Sequence, residues 1–283
     1  MKKVLLPIDF SPNSRNAVSY ALNFMKNEPC EFIFLHCYGN KGHFYYPEES
    51  CTKETSFENI QSTAEKRTHS FLQEVRISYP NSNYNYTIRI ENSSLLLSIN
   101  KHIEEDNLYC IVIGTHGITN KTETAYGNNS RILIEEVKNC PLFVIPPLVK
   151  FNPIKEIVLP TSFDFEPKFP EFEFLKNLVT KTKASLIILH VQTSEKLSPI
   201  RERNSDLVNK FLKEEKPDFH YLQKVSIAAG IYCFTESRKS DLVVFINKKE
   251  SFLNNLMIED PENIGGNYFK MPLVFLQYSS VEN

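Results

Sequence analysis

Residues 4–10 read VLLPIDF, and residues 157–163 read IVLPTSF. Three further short apolar matches follow in the same order in both halves of the chain. They pair residues 33–37 with 187–191, residues 110–113 with 242–245, and residues 141–145 with 272–276. Four matches in one order indicate a tandem duplication, in which the second copy is shorter in its middle.

The junction between the two copies is rich in proline. Residues 146–153 read PPLVKFNP, and prolines at this density are typical of a stiff linker. We therefore predict a first domain over residues 1–147, a linker over 148–153 and a second domain over 154–283. The chain has 283 residues, which is enough for two domains that each bury a core of their own.

Within the first copy, short apolar runs alternate with longer amphipathic stretches. The runs cover residues 4–8, 32–37, 84–90, 109–113 and 142–145, and helix candidates lie near 12–26, 57–78, 94–106 and 128–138. Runs of Val, Ile, Leu and Phe with little polar alternation are typical of strands buried on both faces. Ser11 followed by Pro12 is a good signal for the start of the first helix.

This alternation predicts an α/β fold. We expect two tandem doubly wound domains, each an open five-stranded, mainly parallel sheet with helices on both faces. Ligands of such sheets bind beyond the carboxyl ends of the strands, where the strand order reverses. Candidate functional residues should therefore follow the first and fourth strands.

Three of the chain's eight glycines fall in residues 114–130, which read GTHGITNKTETAYGNNS. This is neither a Walker A loop nor the G-x-G-x-x-G dinucleotide motif. Glycines let the backbone approach a phosphate, and the unpaired N–H groups of a helix start favour an anion. Asn128 or Asn129 could cap the helix that follows Gly127, and their amides or Ser130 could donate to phosphate oxygens. A glycine-rich turn with an asparagine cap is the alternative interpretation.

Composition and charge exclude several classes of function. Lys and Arg number 32 and Asp and Glu 34, so there is no basic surplus for general nucleic-acid binding. No apolar run reaches the length of a membrane helix. The six cysteines are widely spaced without a CxxC pair, which predicts a reduced, cytoplasmic protein with buried thiols. We find no metal-binding or nucleophile motif and expect no strong catalysis.

The sequence resembles the universal stress protein family, and the resemblance covers both halves. It rests on PIDFS at residues 7–11, on His36 at the end of the second strand, on IGTHG at 113–117 and on CPLFVIP at 140–146. The spacing G-x2-G-x9-G is typical of the members that bind ATP. The resemblance implies an adenine-nucleotide-binding, Rossmann-like fold of the α-hydrolase type, which usually dimerises through its last strands. Here the two copies could form that pseudo-dimer within one chain, with a further homodimer possible.

The resemblance also implies roles for single residues of the first domain. Asp9 would contact the nucleoside, with Pro7 and Ile8 near the adenine. The phosphate loop would comprise Ile113, Gly114, His116, Gly117, Gly127, Asn128, Asn129 and Ser130. Asn128 departs from the family, because ATP-binding members have Ser or Thr there, and Lys121 is the only cation of the loop. The implied ligand is ATP or a related adenine nucleotide, hydrolysed slowly at most, and Mg²⁺ could accompany it.

The second copy departs further from the pattern. Ser162 stands at the position of Asp9, and Ile246 and Lys249 stand at the positions of the first two loop glycines. Residues 257–260, at the position of the third glycine, read MIED. We therefore predict a nucleotide-free partner domain. Its phenylalanines are expected in the core, with an interaction surface as the alternative; they are Phe163, Phe165, Phe169, Phe172 and Phe174.

Several alternatives stay open at this point. His36 and His190 occupy equivalent strand ends, where they could be site residues, although we expect hydrogen-bonded structural histidines. Residues 39–56 are either a lid over the site or an insertion without function. The whole protein is expected to act as a nucleotide-linked stress-response or regulatory protein. The alternatives are a scaffold that binds no nucleotide and, less favoured, an adenylyl-transferring enzyme.

Overall fold

The computed structural model describes residues 1–38, 57–115, 127–192, 197–246 and 269–277. The chain divides into two compact units, Met1–Phe151 and Asn152–Asn283, so the division falls inside the proline-rich segment. None of the helices in these described ranges is long and apolar enough to cross a membrane.

The first unit is built on five parallel strands. They are β1 (Lys2–Pro7), β2 (Cys30–Tyr38), β3 (Tyr84–Asn92), β4 (Cys110–Gly114) and β5 (Leu142–Ile145). The helices are α1 (Pro12–Phe24), α2 (Phe57–Ser78), α3 (Leu95–Asp106) and α4 (Asn128–Glu136). The strands lie in the order β3-β2-β1-β4-β5. The order reverses between β1 and β4, which places the ligand-binding edge at their carboxyl ends.

The reversal of strand order also determines which face of the sheet each helix covers. Because crossovers between parallel strands are right-handed, α1 and α2 cover one face of the sheet and α3 and α4 the other. The side chains of β4 and β5 are almost all buried, whereas those of β3, at the edge, are partly exposed. The doubly wound fold predicted from the apolar runs is therefore confirmed.

Helix α1 begins as the sequence predicts. The Ser11 hydroxyl accepts the N–H of Ser14 at 3.1 Å, and Pro12 is the first helical residue. This N-cap fixes the start of α1 immediately beyond the carboxyl end of β1. The other predicted helices of this unit also lie within about two residues of their observed bounds.

The second unit repeats this architecture. Its strands are β6 (Glu156–Pro160), β7 (Ser185–Gln192), β8 (Asp218–Gln223), β9 (Leu242–Ile246) and β10 (Leu273–Leu276). Its helices are α5 (Phe169–Thr182), α6 (Pro199–Phe211) and α7 (Ile227–Arg238), with a 3₁₀ turn at Lys213–Glu215. The order β8-β7-β6-β9-β10 matches that of the first unit strand for strand.

The first helix of the second unit starts later than its counterpart. The offset of 153 residues that aligns the two opening strands places Pro12 opposite Phe165, yet α5 begins at Phe169. Three of the predicted core phenylalanines are buried, namely Phe163, Phe172 and Phe174. The prediction is wrong for Phe169, which is 62% exposed because it opens α5 on the solvent side.

Candidate functional site

The first part of the candidate site is the turn that joins β1 to α1. The Ile8 N–H donates to the Leu35 carbonyl at 2.9 Å, which continues the pairing of β1 and β2 by one residue. Asp9 follows and is only 7% exposed, and its Oδ1 accepts the Ser11 N–H at 3.0 Å. Phe10 lies between them with φ of 64°, in the left-handed region. The turn therefore places a carboxylate at the carboxyl end of the central strand.

Gly114 ends β4 next to this turn. A Cβ atom at this position would lie 2.6 Å from Nδ2 of Asn13, 2.8 Å from its Cγ and 3.0 Å from its backbone oxygen. The Asn13 amide also lies 3.4 Å from the Thr115 hydroxyl. Gly114 is therefore required by the close approach of α1, independently of any ligand. The sequence motif identified this glycine, but its partner Asn13 carried no sequence signal.

Two hydrogen bonds connect the start of α4 to the end of β4. The Gly127 N–H donates to the Thr115 carbonyl at 2.7 Å, and the Ser130 hydroxyl donates to the Gly114 carbonyl at 2.9 Å. Ser130, predicted to donate to a phosphate, thus donates to the backbone here. His116 and Gly117 lie outside the described residues, as do the loop's charged residues.

Gly127 is the N-cap of α4. Its φ of −69° and ψ of 158° are extended, and no side chain caps this helix among the described residues. The prediction that Asn128 or Asn129 caps the helix is wrong, because both lie inside its first turn. The hydrogen bond from the Gly127 N–H to the Thr115 carbonyl holds Gly127 at the N-cap position, one residue before Asn128. By contrast, α1 and α3 each begin with a serine hydroxyl that accepts a backbone N–H.

The first-turn N–H groups of α4 therefore lack a side-chain acceptor in the described part of the chain. Such groups, together with the helix dipole, give an electropositive end that favours an anion. Ile113, the residue before Gly114, is buried within β4. Asp9 at the end of β1 and the start of α4 at the end of β4 thus flank the switch point of the sheet.

His36 lies behind the turn. Its Nδ1 is 2.9 Å from the Ile8 carbonyl, which confirms the predicted structural histidine. Burial lowers the pKa of His36, an effect opposed by this hydrogen bond and by Asp9 and reinforced by Arg67. The Arg67 guanidinium lies 4.6 Å from the centre of the Phe10 ring. Sequence reasoning missed this cation, because an exposed arginine on a helix carries no motif.

The described positions of the second unit carry chemical groups that differ from those of this site. Ile246 lies opposite Leu276 in β10, as Gly114 lies opposite Ile145 in β5, so the predicted equivalence of the two positions holds in the strand register. The Ser162 hydroxyl accepts the Asp164 N–H at 3.4 Å and offers no carboxylate. Residues 249 and 257–260, also named in the sequence comparison, lie outside the described residues.

Metal and thiol chemistry can be tested against the described ranges. They hold no group of three or more His, Cys, Asp or Glu side chains that could bind a metal ion. A magnesium ion accompanying the nucleotide stays a prediction. Cys30, Cys37, Cys110 and Cys140 are buried thiols, as predicted, whereas Cys233 is exposed. The 39–56 segment lies outside the described residues.

Comparisons with known proteins agree with this geometry. The sequence model of the universal stress protein family matches residues 1–146. The structure is similar to the crystal structure of a universal stress protein from Archaeoglobus fulgidus, with a TM-score of 0.69 and 15% identity over 98% of both chains. It is also similar to a functionally unknown protein from Pseudomonas aeruginosa, with a TM-score of 0.57 and 12% identity over 98% of this chain and 93% of that one. No curated protein sequence matches the chain.

Proposed function

The chain belongs to the universal stress protein family, and we propose that its first unit binds ATP or a related adenine nucleotide. The site would lie at the carboxyl ends of β1 and β4. The observation that carries this proposal is the start of α4, which has no side-chain cap within the described ranges and is tied to the end of β4 through Gly127 and Ser130. A phosphate group is the ligand that such a helix end favours.

Asp9 supplies the second half of the proposed site. Its Oδ1 accepts the Ser11 N–H, and a carboxylate offers about four acceptor positions in all, which suits Asp9 to a donor on the nucleoside. Pro7 and Ile8 precede it as a buried apolar pair, and the adenine would lie next to them. Arg67, stacked on Phe10, adds a positive charge beside the turn. A ligand with an apolar base, hydrogen-bond donors and a phosphate chain matches this combination.

We propose that the second unit binds no nucleotide. Ile246, at the position of Gly114, carries a buried apolar side chain, and Ser162 replaces the carboxylate. Arg201 forms an ion pair with Asp164 at 2.6 Å across the corresponding turn. The roles of this unit as an intramolecular partner, and of the chain in a further homodimer, stay predictions, as does the cytoplasmic location.

At the level of the whole protein, nucleotide occupancy would serve as a stress-response or regulatory signal. A second candidate function is a scaffold of the same fold that binds no nucleotide. Asn128 favours this alternative, because an exposed amide begins α4 where ATP-binding members have a hydroxyl. The two functions differ in whether the purified protein carries a ligand.

The experiment is mass spectrometry of small molecules released by heat from the purified protein. Asp9→Asn tests the site, because asparagine retains an oxygen for the Ser11 N–H while removing the charge. Ser162→Ala is the matched control at the equivalent position of the second unit. The proposal expects a stoichiometric adenine nucleotide in wild type and control, and none in Asp9→Asn. An empty wild type that also shows no heat on titration with millimolar ATP would favour the scaffold.

A further inference from the structure

A single imidazole contacts the residues on both sides of Asp9. Nδ1 of His36 lies 2.9 Å from the carbonyl oxygen of Ile8, the residue before Asp9. The His36 ring lies 4.7 Å, centre to centre, from the ring of Phe10, the residue after it. His36 comes from β2, the strand beside β1, and is buried. The backbone of Asp9 is thus held at two points by a side chain outside the turn.

The direction of the hydrogen bond defines the form of the ring. A carbonyl oxygen can only accept, so Nδ1 of His36 carries a proton and donates it to Ile8. Burial lowers the pKa of His36, which favours the neutral ring with its single proton on Nδ1. The contact with Ile8 therefore depends on a directional N–H donor at the position of Nδ1.

The turn needs support of this kind because its backbone is strained. Phe10 has a φ of 64°, a conformation that a residue with a bulky side chain rarely adopts. The Phe10 ring packs against His36 on one side, and the Arg67 guanidinium lies over it at 4.6 Å. These contacts offset the strain and hold the turn in which Asp9 accepts the Ser11 N–H.

The second unit contains the same arrangement around a different residue. Nδ1 of His190 lies 2.7 Å from the Thr161 carbonyl, and its ring lies 5.0 Å from that of Phe163, which has a φ of 58°. Ser162 lies between them. Because both units contain it, the arrangement is a feature of the fold. Its effect on function depends on which residue lies between the two that the histidine contacts. Only in the first unit is that residue a carboxylate.

We infer that His36 is the positioning residue of the nucleotide site, which fixes the Asp9 carboxylate through its contacts with Ile8 and Phe10. This inference rests on the proposed function, because the positioned group is the proposed nucleoside contact. It assigns a functional consequence to a side chain that itself touches no ligand.

Two variants separate the hydrogen bond from the packing. His36→Asn retains an amide N–H that can reach the Ile8 carbonyl, and His36→Leu retains volume against Phe10 without a donor. Two quantities are measured, the affinity for ATP by calorimetry and the hydrogen-exchange rate of the Ser11 amide by NMR. The amide reports the position of Asp9 without any ligand, because its acceptor is Asp9 Oδ1.

We expect His36→Leu to weaken ATP binding at least tenfold and to accelerate exchange of the Ser11 amide at least tenfold. His36→Asn should stay within threefold of wild type in both. His190→Leu, the matched control in the second unit, should change neither. If His36→Leu does not fold, His36→Asn decides the question, since a folded His36→Asn protein with tenfold weaker ATP binding would overturn the donor role.

The readouts also separate failure of this inference from failure of the proposed function. Absence of ATP binding by wild type would refute the proposed function, and the Ser11 exchange rate in His36→Leu would still test the positioning role. A folded His36→Leu protein with wild-type ATP affinity and a wild-type Ser11 exchange rate would overturn the inference while leaving the proposed function intact.

Discussion

Replacing Gly114 by alanine tests whether α1 packs on β4 as closely as the structure shows. The new Cβ atom would lie 2.6 Å from Nδ2 of Asn13, about 0.8 Å closer than the 3.4 Å at which ordinary van der Waals contact begins. The Asn13 backbone oxygen, at 3.0 Å, cannot swing away as a side chain can. Overpacking of this kind destabilises proteins by about 1–3 kcal/mol, and we expect Gly114→Ala to lower the free energy of unfolding by that amount.

A double-mutant cycle with Asn13→Ala identifies the cause. Asn13→Ala removes the two nearest contacts and leaves the backbone oxygen, so the double variant should recover at least about 1 kcal/mol of the loss. The assay is urea denaturation of the four proteins, with unfolding free energies extrapolated to water. Additive effects of the two substitutions, or an unchanged stability of Gly114→Ala, would refute the packing argument.

The cycle also matters for interpreting ligand binding. Because the new Cβ faces Asn13, loss of nucleotide from a Gly114 variant alone does not distinguish damaged packing from a blocked phosphate. The double variant Gly114→Ala with Asn13→Ala relieves most of the packing conflict. We expect it to bind ATP more tightly than Gly114→Ala.

Three further predictions address stability and reactivity. Ser11→Ala should lower the free energy of unfolding by about 1 kcal/mol in urea denaturation, because it removes the N-cap of α1, and a change below about 0.3 kcal/mol would contradict that role. Burial lowers the pKa of His36 and His190, so the unfolded chain binds protons at a higher pH than the folded chain does. The free energy of unfolding should therefore be full above pH 6.5 and fall as the pH drops below it, less steeply when both histidines are replaced by asparagine. A pH dependence that the double replacement leaves unchanged would count against this origin. Burial raises the pKa of Cys140 to about 12, so alkylation of the native protein followed by peptide mapping should modify exposed Cys233 and leave Cys140 unmodified. Rapid labelling of Cys140 would show that the segment before β5 is accessible.

The fold was predictable because its signals are local and repeated. The apolar runs of β1, β2, β4 and β5 are buried on both faces, and such strands need little polar alternation to be recognised. Ser11 and Pro12 identify the start of α1 from two adjacent residues. The strand order follows from the doubly wound pattern once the helices between the strands are recognised.

The parts of the site that sequence reasoning missed depend on contacts between distant residues. Glycine and asparagine are both acceptable N-cap residues, and the choice of Gly127 is made by its hydrogen bond to Thr115, across the intervening loop. Asn13 and Arg67 lie on helices where nothing in the spacing marks them. His36 was identified because its position recurs as His190, but its contacts with the residues on both sides of Asp9 required coordinates.

The central claim is that one adenine nucleotide binds per chain, in the first unit. Calorimetric titration of the full chain with ATP tests it most directly, with Asp9→Asn and Ser162→Ala titrated alongside. We predict a stoichiometry of one ATP per chain for wild type and Ser162→Ala, and no binding to Asp9→Asn. Two sites per chain, or a single site unaffected by Asp9→Asn, would contradict the assignment of the site to the carboxyl ends of β1 and β4.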